Sequence, residues 1–312
     1  MSNSCSFDCK YCANAAICKN KKVSYEPQEL ANVFMHLVKK ISVHGLFLSS
    51  AIERDADKTT EKMLSAVKLI RFKYNFKGYI HFKILPGTSY ELIKQASELS
   101  DRMSINIEAP NKSILSELSS CKDYKNDILT RQAWIKNLSK NQTTQFIVNS
   151  FSTDKDILKM LKWEYEKLKL KRIYFSAFRP VKGTALENEK PEKLSRQNHL
   201  YNVDFLIRKY DFSFKEIEKS LIDEMLPNED PKLAIAKSNF DKPLDINQAS
   251  YEELIRIPGI GPTTAKRIIE LRRDKKQKIN YYHDLYKLGR YTKRALPFIK
   301  INGKTQKMLN DY

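Results

Sequence analysis

The chain has 312 residues, 41% of them hydrophobic, which is enough to fold around one large core or a large and a small one. No apolar run approaches the roughly 18 residues of a membrane span, and the first residues do not form a signal peptide, so we expect a cytoplasmic protein with no membrane partner. The net charge is +19, and residues 241–312 carry 16 Lys and Arg against 8 Asp and Glu. This surplus predicts a polyanionic partner, most simply nucleic acid, unless the lysines only form a solvated surface.

The first element along the chain is a cysteine cluster with the spacing C-x3-C-x2-C, formed by Cys5, Cys9 and Cys12. In a reducing compartment, clustered thiols indicate a metal more often than a disulfide. Three thiolates can hold three irons of a cubane cluster and leave the fourth iron open. A structural zinc would need a fourth protein ligand, which Cys18 could supply, so both kinds of metal site remain open at this point.

Short apolar segments rich in β-branched and aromatic residues follow, and they predict buried parallel strands. They are His44–Ser49, Gly78–Leu85, Arg102–Ile107, Thr144–Asn149 and Lys171–Ser176. Longer periodic segments predict helices at Pro27–Ile41, Lys58–Tyr74, Ser89–Leu99 and Asp154–Leu168. Alternating strands and helices form a parallel sheet covered by helices, in which chemistry lies at the C-terminal ends of the strands.

The chain changes character near residue 190. Residues 191–240 predict a helical connector, with helices at Ser195–Lys209 and Phe214–Met225 followed by a stretch rich in Pro, Asp and Asn. We therefore expect three parts, namely an α/β domain at 1–190, the connector at 191–240, and a small all-α domain at 241–305.

The last domain contains IPGIGPTTAKRIIELR, residues 257–272, in which Gly259 and Gly261 suit a turn with a positive φ or a close backbone approach. This segment resembles the helix-hairpin-helix motif, and residues 284–299 resemble a degenerate second copy with Tyr291 in place of a glycine. The resemblance implies binding to the phosphate backbone of duplex DNA, whatever its sequence. The residues expected to contact DNA are Gly259, Gly261, Thr263, Lys266 and Arg267. A turn used only for protein contacts is the alternative.

An aromatic residue, Tyr11, precedes the last clustered cysteine, and C-x3-C-x-aromatic-C resembles the motif of the radical S-adenosylmethionine (radical SAM) superfamily. The chain from Cys5 to about Ile301 resembles one family within it, which is named for DNA modification or repair and joins the barrel to a C-terminal helix-hairpin-helix. The segments that carry this resemblance are SCSFDCKYCAN, GLFLSSAI, GYIHFKILPG, TQFIVNSFSTDKDIL, RIYFSAF and DINQASYEELIRIPGIGPTTAKRII. The resemblance implies an α/β fold, a partial (β/α)6 TIM-like barrel. The family's first strand precedes its cysteines, and only MSNS precedes Cys5, so we expect that strand to be missing or truncated here.

The resemblance also implies the cofactors and their ligands. Cys5, Cys9 and Cys12 would bind a 4Fe-4S cluster, and its open iron would chelate the amino and carboxylate groups of S-adenosyl-L-methionine (SAM). The candidate residues for binding SAM are Tyr11, Ser49, Ser50, Asn106 and Glu108, of which the serines match the strand that contacts the methionine amino group. Asn106 and Glu108 match the strand that holds the ribose.

The implied enzyme generates a 5′-deoxyadenosyl radical with an electron from a donor such as flavodoxin or ferredoxin, and it docks on DNA through the helix-hairpin-helix. No further catalytic residue is identified. Two other functions remain open at this point, a radical SAM enzyme that acts on RNA and a non-catalytic DNA-binding protein with a structural metal.

Overall fold

The computed structural model describes residues 1–139, 141–273 and 277–305. The chain forms two compact units, Met1–Gln197 and Asn198–Tyr312. Within the described ranges, none of the helices combines the length and the apolar character that crossing a membrane requires.

The first unit contains one parallel sheet of five strands, which lie side by side in chain order and curl into half a barrel. The strands are β1 (Gly45–Leu48), β2 (Tyr79–Lys83), β3 (Arg102–Ser104), β4 (Gln142–Val148) and β5 (Arg172–Ala177). Each overlaps one predicted segment, so the expected partial barrel is confirmed with five strands. Before β1 lie a helix and an isolated antiparallel bridge between Ser2 and Ser24.

In the described part of this unit, α-helices precede or follow the strands. They are α1 (Pro27–Ile41), α2 (Ala56–Lys68), α3 (Tyr90–Leu99), α4 (Lys112–Leu118), α5 (Thr130–Leu138) and α6 (Asp154–Trp163). Single π-helical segments extend α2 over Leu69–Lys73 and α6 over Glu164–Leu168, and a third, Tyr124–Leu129, leads into α5. The Thr153 hydroxyl accepts a hydrogen bond from the backbone N–H of Asp156, so this residue caps the N-terminus of α6.

The two faces of the sheet differ in polarity, as β2 illustrates. Ile80 and Phe82 are fully buried in the core, whereas Tyr79, His81 and Lys83, which alternate with them, keep part of their surface exposed. Successive side chains of a strand point to opposite faces. The helix-covered face is therefore apolar, and the opposite face carries the polar side chains from which a site can be built.

A buried acid lies in this unit, away from those polar side chains. Glu164 is fully buried, and its Oε1 accepts a hydrogen bond of 2.9 Å from Gln132 Nε2. Its Oε2 has no hydrogen-bond partner among the residues that the structure describes. Burial raises the pKa of Glu164 to about 8, against the opposing effect of the Gln132 hydrogen bond.

We expect Glu164→Gln to stabilise the protein above neutral pH. The pKa is higher in the folded chain, so folding takes up a proton, and stability decreases as the pH rises from the ordinary glutamate value toward about 8. The wild type should lose on the order of 3 kcal/mol between pH 5 and pH 7.5 relative to the amide variant. Thermal unfolding of both proteins across this range measures the difference, and parallel curves would contradict the prediction.

The second unit is mainly helical, as predicted, and it also carries a short three-stranded sheet that the sequence did not predict. Its helices are α7 (Leu194–Tyr210), α8 (Phe214–Glu218), α9 (Pro231–Asn239), α10 (Tyr251–Arg256), α11 (Pro262–Arg273) and α12 (Tyr282–Leu288), with a 3-10 helix at Thr292–Phe298. The sheet has the order β6 (Leu244–Asp245), β7 (Ile299–Ile301) and β8 (Lys304–Thr305). The helix predicted at Phe214–Met225 ends at Glu218. Beyond it, Asp223 and Glu224 have positive φ angles of 47° and 63°, so a right-handed helix could not have continued to Met225.

Candidate functional site

A cavity of about 600 Å³ lies at the C-terminal ends of the strands in the first unit. Its wall includes every residue predicted to bind the cluster or its cofactor, namely Cys5, Cys9, Tyr11, Cys12, Ser49, Ser50, Asn106 and Glu108. These side chains come from the N-terminal loop and from the ends of β1 and β3, which are far apart in sequence. The fold thus brings the whole predicted set into one cavity, while the role of each residue stays a prediction.

The cysteine loop is held to the end of β1 by backbone hydrogen bonds. The N–H of Ser6 donates to the carbonyl of Ile52 at 2.7 Å, and that of Ala51 donates to the carbonyl of Ser2 at 2.9 Å. Within the loop, the N–H of Cys12 donates to the carbonyl of Cys9 at 3.0 Å. The first two bonds anchor the chain on either side of Cys5, and the third closes the turn between Cys9 and Cys12.

The electrostatics of the three thiols suit a shared positive centre. Burial raises the pKa of Cys12, and Cys9 and Cys5 raise it further because each thiolate would oppose the next. A cationic iron–sulfur cluster would remove that opposition and hold all three as thiolates. Among the described residues, no group of three His, Cys, Asp or Glu side chains is arranged to bind one common metal ion. A cubane cluster has a different requirement, because each thiolate binds a separate iron.

Cys18, the candidate fourth ligand of a zinc, has another environment. It is buried and does not line the cavity. Its Sγ lies 3.2 Å from the carbonyl of Gly183 and 3.5 Å from that of Cys12, and it donates to these acceptors. Its thiol therefore bonds to backbone rather than completing a set of four with the clustered cysteines.

A carboxylate that the sequence did not single out, Asp8, clamps the loop between two of the cysteines. It accepts hydrogen bonds from the Ser119 hydroxyl at 2.7 Å, from the hydroxyl and N–H of Ser120, and from the N–H of Cys121 at 3.2 Å. Burial opposes its ionisation, but the bonds from Ser120 and Ser119 outweigh burial and lower the pKa of Asp8. Its partners lie more than 110 residues away in sequence, so no local pattern could have revealed it.

We expect Asp8→Ala to reduce how much cluster the protein holds. Removing an acceptor of several hydrogen bonds should destabilise the loop by about 2–4 kcal/mol and lower the iron and sulfide bound per chain after anaerobic reconstitution. Asp8→Asn is the matched control, since it keeps one acceptor oxygen and should retain more iron than the alanine variant. Equal iron content in wild type and Asp8→Ala would contradict the prediction.

A buried lysine, Lys122, also missed by the sequence, joins two predicted cofactor residues. Its Nζ lies 3.6 Å from Glu108 Oε1 and donates to the Tyr11 hydroxyl at 3.1 Å. Burial disfavours its charge, but Glu108 and Cys9 reverse that effect and raise the pKa of Lys122. Glu108 itself has a positive φ of 64°, and its N–H and C=O bond to Gln145 and Ile147 of β4. A strained residue held this firmly at a cavity wall is typical of a functional position.

The turn of the second unit has the geometry that its two glycines predicted. Gly259 has a φ of 82°, and a Cβ there would lie 2.2 Å from the carbonyl oxygen of Tyr291. A Cβ on Gly261 would lie 3.1 Å from the hydroxyl of Tyr210. Gly259 therefore needs to be glycine, for its positive φ and its close approach to Tyr291, whereas a Cβ on Gly261 would require the hydroxyl end of Tyr210 to shift by a few tenths of an ångström.

The remaining predicted DNA contacts lie on the first turns of α11. Thr263, Lys266 and Arg267 are all exposed there. Arg267 Nη1 also donates to the carbonyl of Leu288 at 3.0 Å, so part of this guanidinium stabilises the end of α12. The structure thus brings the five predicted residues together in one turn and helix start, whose N–H groups favour anions.

The segment that resembles a second hairpin packs directly against the first. A Cβ on Gly289 would lie 2.5 Å from Thr264 Oγ1 of α11. Ala265 and Ala295, which hold matching places in the two copies, are both fully buried in one core with Leu285. The paired arrangement follows from these close contacts between α11 and the chain after α12.

Comparison with known proteins identifies two families. A family model described as the radical SAM superfamily matches residues 1–163. A second model, described as a helix-hairpin-helix motif, matches residues 240–295. No curated protein matches the chain.

Several solved structures share the fold. HydG, a maturase of the [FeFe]-hydrogenase, matches with a TM-score of 0.55 and 13% identity over 69% of this chain and 52% of its own. HydG from Carboxydothermus hydrogenoformans matches with a TM-score of 0.56 and 12% identity over 66% of this chain and 49% of its own. Methylornithine synthase (PylB) matches with a TM-score of 0.51 and 12% identity over 62% of this chain and 55% of its own. The chain spans about half the length of these proteins, and at such low identity the likeness establishes the fold alone.

Proposed function

The chain belongs to the radical SAM superfamily, whose members use a 4Fe-4S cluster and SAM, and from this premise we propose that it is an enzyme that modifies or repairs DNA. The observation that carries the proposal is the single cavity lined by the three cysteines and all the candidate SAM ligands. The helix-hairpin-helix at residues 240–295 of the same chain supplies the link to DNA.

Different residues of the cavity would bind the cluster and the different parts of SAM. Cys5, Cys9 and Cys12 bind the cluster. Because there are three of them and four irons, one iron has no protein ligand. Ser49 and Ser50 orient the methionine part of SAM, and Asn106 and Glu108 orient the ribose. When both groups are bound, the chemistry that they supply is hydrogen abstraction by a 5′-deoxyadenosyl radical.

Lys122 positions two of the candidate cofactor-binding side chains, Glu108 and Tyr11. Its ammonium, 3.6 Å from Glu108 Oε1, holds that carboxylate at the cavity wall, and its bond to Tyr11 orients the aromatic residue of the cysteine motif. The apolar walls around them include Phe178, Ile147 and Leu85 and limit the access of water to the reacting atoms.

The proposed docking to DNA uses backbone phosphates. The N–H groups of the turn at Gly259 and Gly261 and the exposed Lys266 would contact phosphates and not base edges, so binding would not depend on sequence. A base within a duplex would have to leave the stack to be acted on. The proposal further includes an electron donor such as flavodoxin or ferredoxin, and a cytoplasmic location, which the five free cysteines support.

The experiment is anaerobic reconstitution with iron and sulfide, followed by separate incubations with SAM, a reductant and either duplex DNA or RNA. We expect 5′-deoxyadenosine and an altered nucleoside in the digested DNA, identified by mass spectrometry. Products in RNA but not in DNA would move the substrate to RNA. A colourless protein with one tightly bound zinc, and no cleavage of SAM, would overturn the proposal.

A further inference from the structure

The turn of the second hairpin carries an exposed aromatic ring. Between the two copies of the motif, Gly289 and Tyr291 hold the places of Gly259 and Gly261. Tyr291 has a negative φ of −107°, and 63% of its surface is exposed, so neither the backbone nor the core requires a tyrosine at this position. A lone exposed aromatic residue is ordinary on a protein surface, so its surroundings decide what it can do.

The second turn is in direct contact with the first. A Cβ on Gly259 would lie 2.2 Å from the carbonyl oxygen of Tyr291 and 3.1 Å from the Cβ of Arg294. Gly289, at the start of the second turn, packs equally closely on Thr264 of α11. The backbone of Tyr291 therefore touches the turn whose N–H groups are proposed to hold a DNA phosphate, and its exposed ring is anchored beside that phosphate site.

Positive charges accompany the ring. Arg290 and Lys293 are exposed on either side of Tyr291 in the chain, and the guanidinium carbon of Arg290 lies 5.8 Å from the centre of the ring. Arg294 is exposed as well, but it forms an ion pair with Asp230 at 3.3 Å. An aromatic face among cations is the combination that binds single-stranded nucleic acid, because bases stack on the ring and cations contact the backbone.

The charge around the ring indicates the kind of partner. Residues 284–299 carry four Lys and Arg against one Asp. A ring used for protein contacts would typically lie at the centre of an apolar patch that is poor in charged residues. A polyanion with accessible aromatic faces, which describes DNA with an unpaired nucleotide, fits this surface better.

We propose that Tyr291 stacks on an unpaired base of the DNA that the hairpins bind, while Arg290 and Lys293 contact the neighbouring phosphates. A base inside a duplex has both faces covered by its neighbours, so only a base outside the stack can contact the ring. The chain therefore prefers DNA with an unpaired nucleotide to a perfect duplex, whichever base is unpaired. The inference rests on the proposed function and deepens it, because it names the DNA structure that the enzyme recognises.

The test uses the full chain after anaerobic reconstitution, and fluorescence anisotropy measures its affinity for three labelled DNAs that share one duplex sequence. The first is a perfect duplex, the second has one additional unpaired nucleotide, and the third has an abasic site in place of that nucleotide. The abasic DNA keeps the interruption of the duplex but offers no base for stacking. We expect the wild type to bind the DNA with the unpaired base roughly tenfold more tightly than either of the others.

Variants separate stacking from charge and from folding. Tyr291→Ala should remove most of the preference without lowering the melting temperature, since the side chain is exposed, and Tyr291→Phe should keep it because stacking needs only the ring. Tyr281→Ala is the matched control, because Tyr281 is 67% exposed and lies at the opposite end of α12 from the second turn. Arg290→Gln should weaken binding to all three DNAs and reduce its salt dependence.

Three results would overturn the inference. The first is equal affinity of the wild type for the three DNAs, and the second is a preference that survives Tyr291→Ala. The third is equally tight binding to the unpaired and the abasic DNA, which would assign the preference to the flexibility of the interrupted duplex.

The same preparation distinguishes the two proposals. If the wild type forms 5′-deoxyadenosine and binds duplex DNA but has no preference for the unpaired base, only this inference fails. If it binds none of the three DNAs, or binds no cluster and forms no 5′-deoxyadenosine, the proposed function itself fails.

Discussion

Cys9→Ala is expected to abolish both cluster binding and the formation of 5′-deoxyadenosine, with a loss of at least ~100-fold in the latter. Cys9 is buried in the cavity wall, and its Sγ lies 3.8 Å from the Ser119 hydroxyl, which also bonds the loop clamp Asp8. Without this thiolate a second iron of the cubane has no protein ligand, in addition to the one that the three cysteines leave open. Iron and sulfide analysis, the visible spectrum and product quantification on anaerobically reconstituted protein measure the effect.

Two other cysteines serve as controls for this experiment. Cys121→Ala should keep the cluster, because Cys121 is exposed and does not line the cavity. Cys18→Ala should also keep it, whereas a zinc site with Cys18 as fourth ligand would lose its metal in that variant. Retention of full iron content in Cys9→Ala would rule out the assignment of this residue as a ligand.

The second large effect concerns DNA. The double reversal Lys266→Glu with Arg267→Glu should weaken binding to a duplex oligonucleotide roughly 100-fold at low salt and reduce the salt dependence of binding. Both side chains are exposed on the first turns of α11, beside a turn whose N–H groups favour phosphates. Fluorescence anisotropy at several salt concentrations measures the affinity and its slope, and cluster content should not change.

Because Arg267 donates a hydrogen bond to the carbonyl of Leu288, the double variant also removes a structural contact, and a single variant is needed beside it. Lys266→Glu leaves that hydrogen bond intact and should still weaken binding about tenfold. Lys219→Glu, at an exposed position after α8, carries the same change of charge outside the hairpin and should have a smaller effect. Affinity that falls equally in both single variants would mean that net charge, and not the hairpin, anchors the DNA.

Much of the fold could be predicted because its signals are local. Buried parallel strands are short apolar runs, and each of the five predicted runs contains or overlaps a strand. The helix at Pro27–Ile41 has its predicted bounds, since a proline at its start and lysines in its last turn are local signals too. The helix at Phe214 was predicted too long, and the positive φ angles at Asp223 and Glu224, which exclude a helix as far as Met225, could not be read from composition.

The residues of the candidate site also differ in whether the sequence could identify them. Cys5, Cys9 and Cys12 could be chosen by spacing, and Gly259 and Gly261 by the turn that they form, as each set lies within a few residues of sequence. Asp8 and Lys122 could not be chosen, since what distinguishes each of them is a partner that is distant in sequence. Asp8 meets Ser119 across 111 positions, and Lys122 meets Tyr11 across the same separation.

The sequence by itself thus determined the family, the order of strands and helices, the cysteine motif and the glycine turn, because periodicity and motif spacing are properties of neighbouring residues. Only the tertiary structure decided which side chains share the cavity, that Cys18 bonds to backbone carbonyls, and that Glu108 is paired with Lys122. The physical reason is that charge pairing and desolvation depend on distance in space, which closing a parallel sheet sets between residues far apart in the chain.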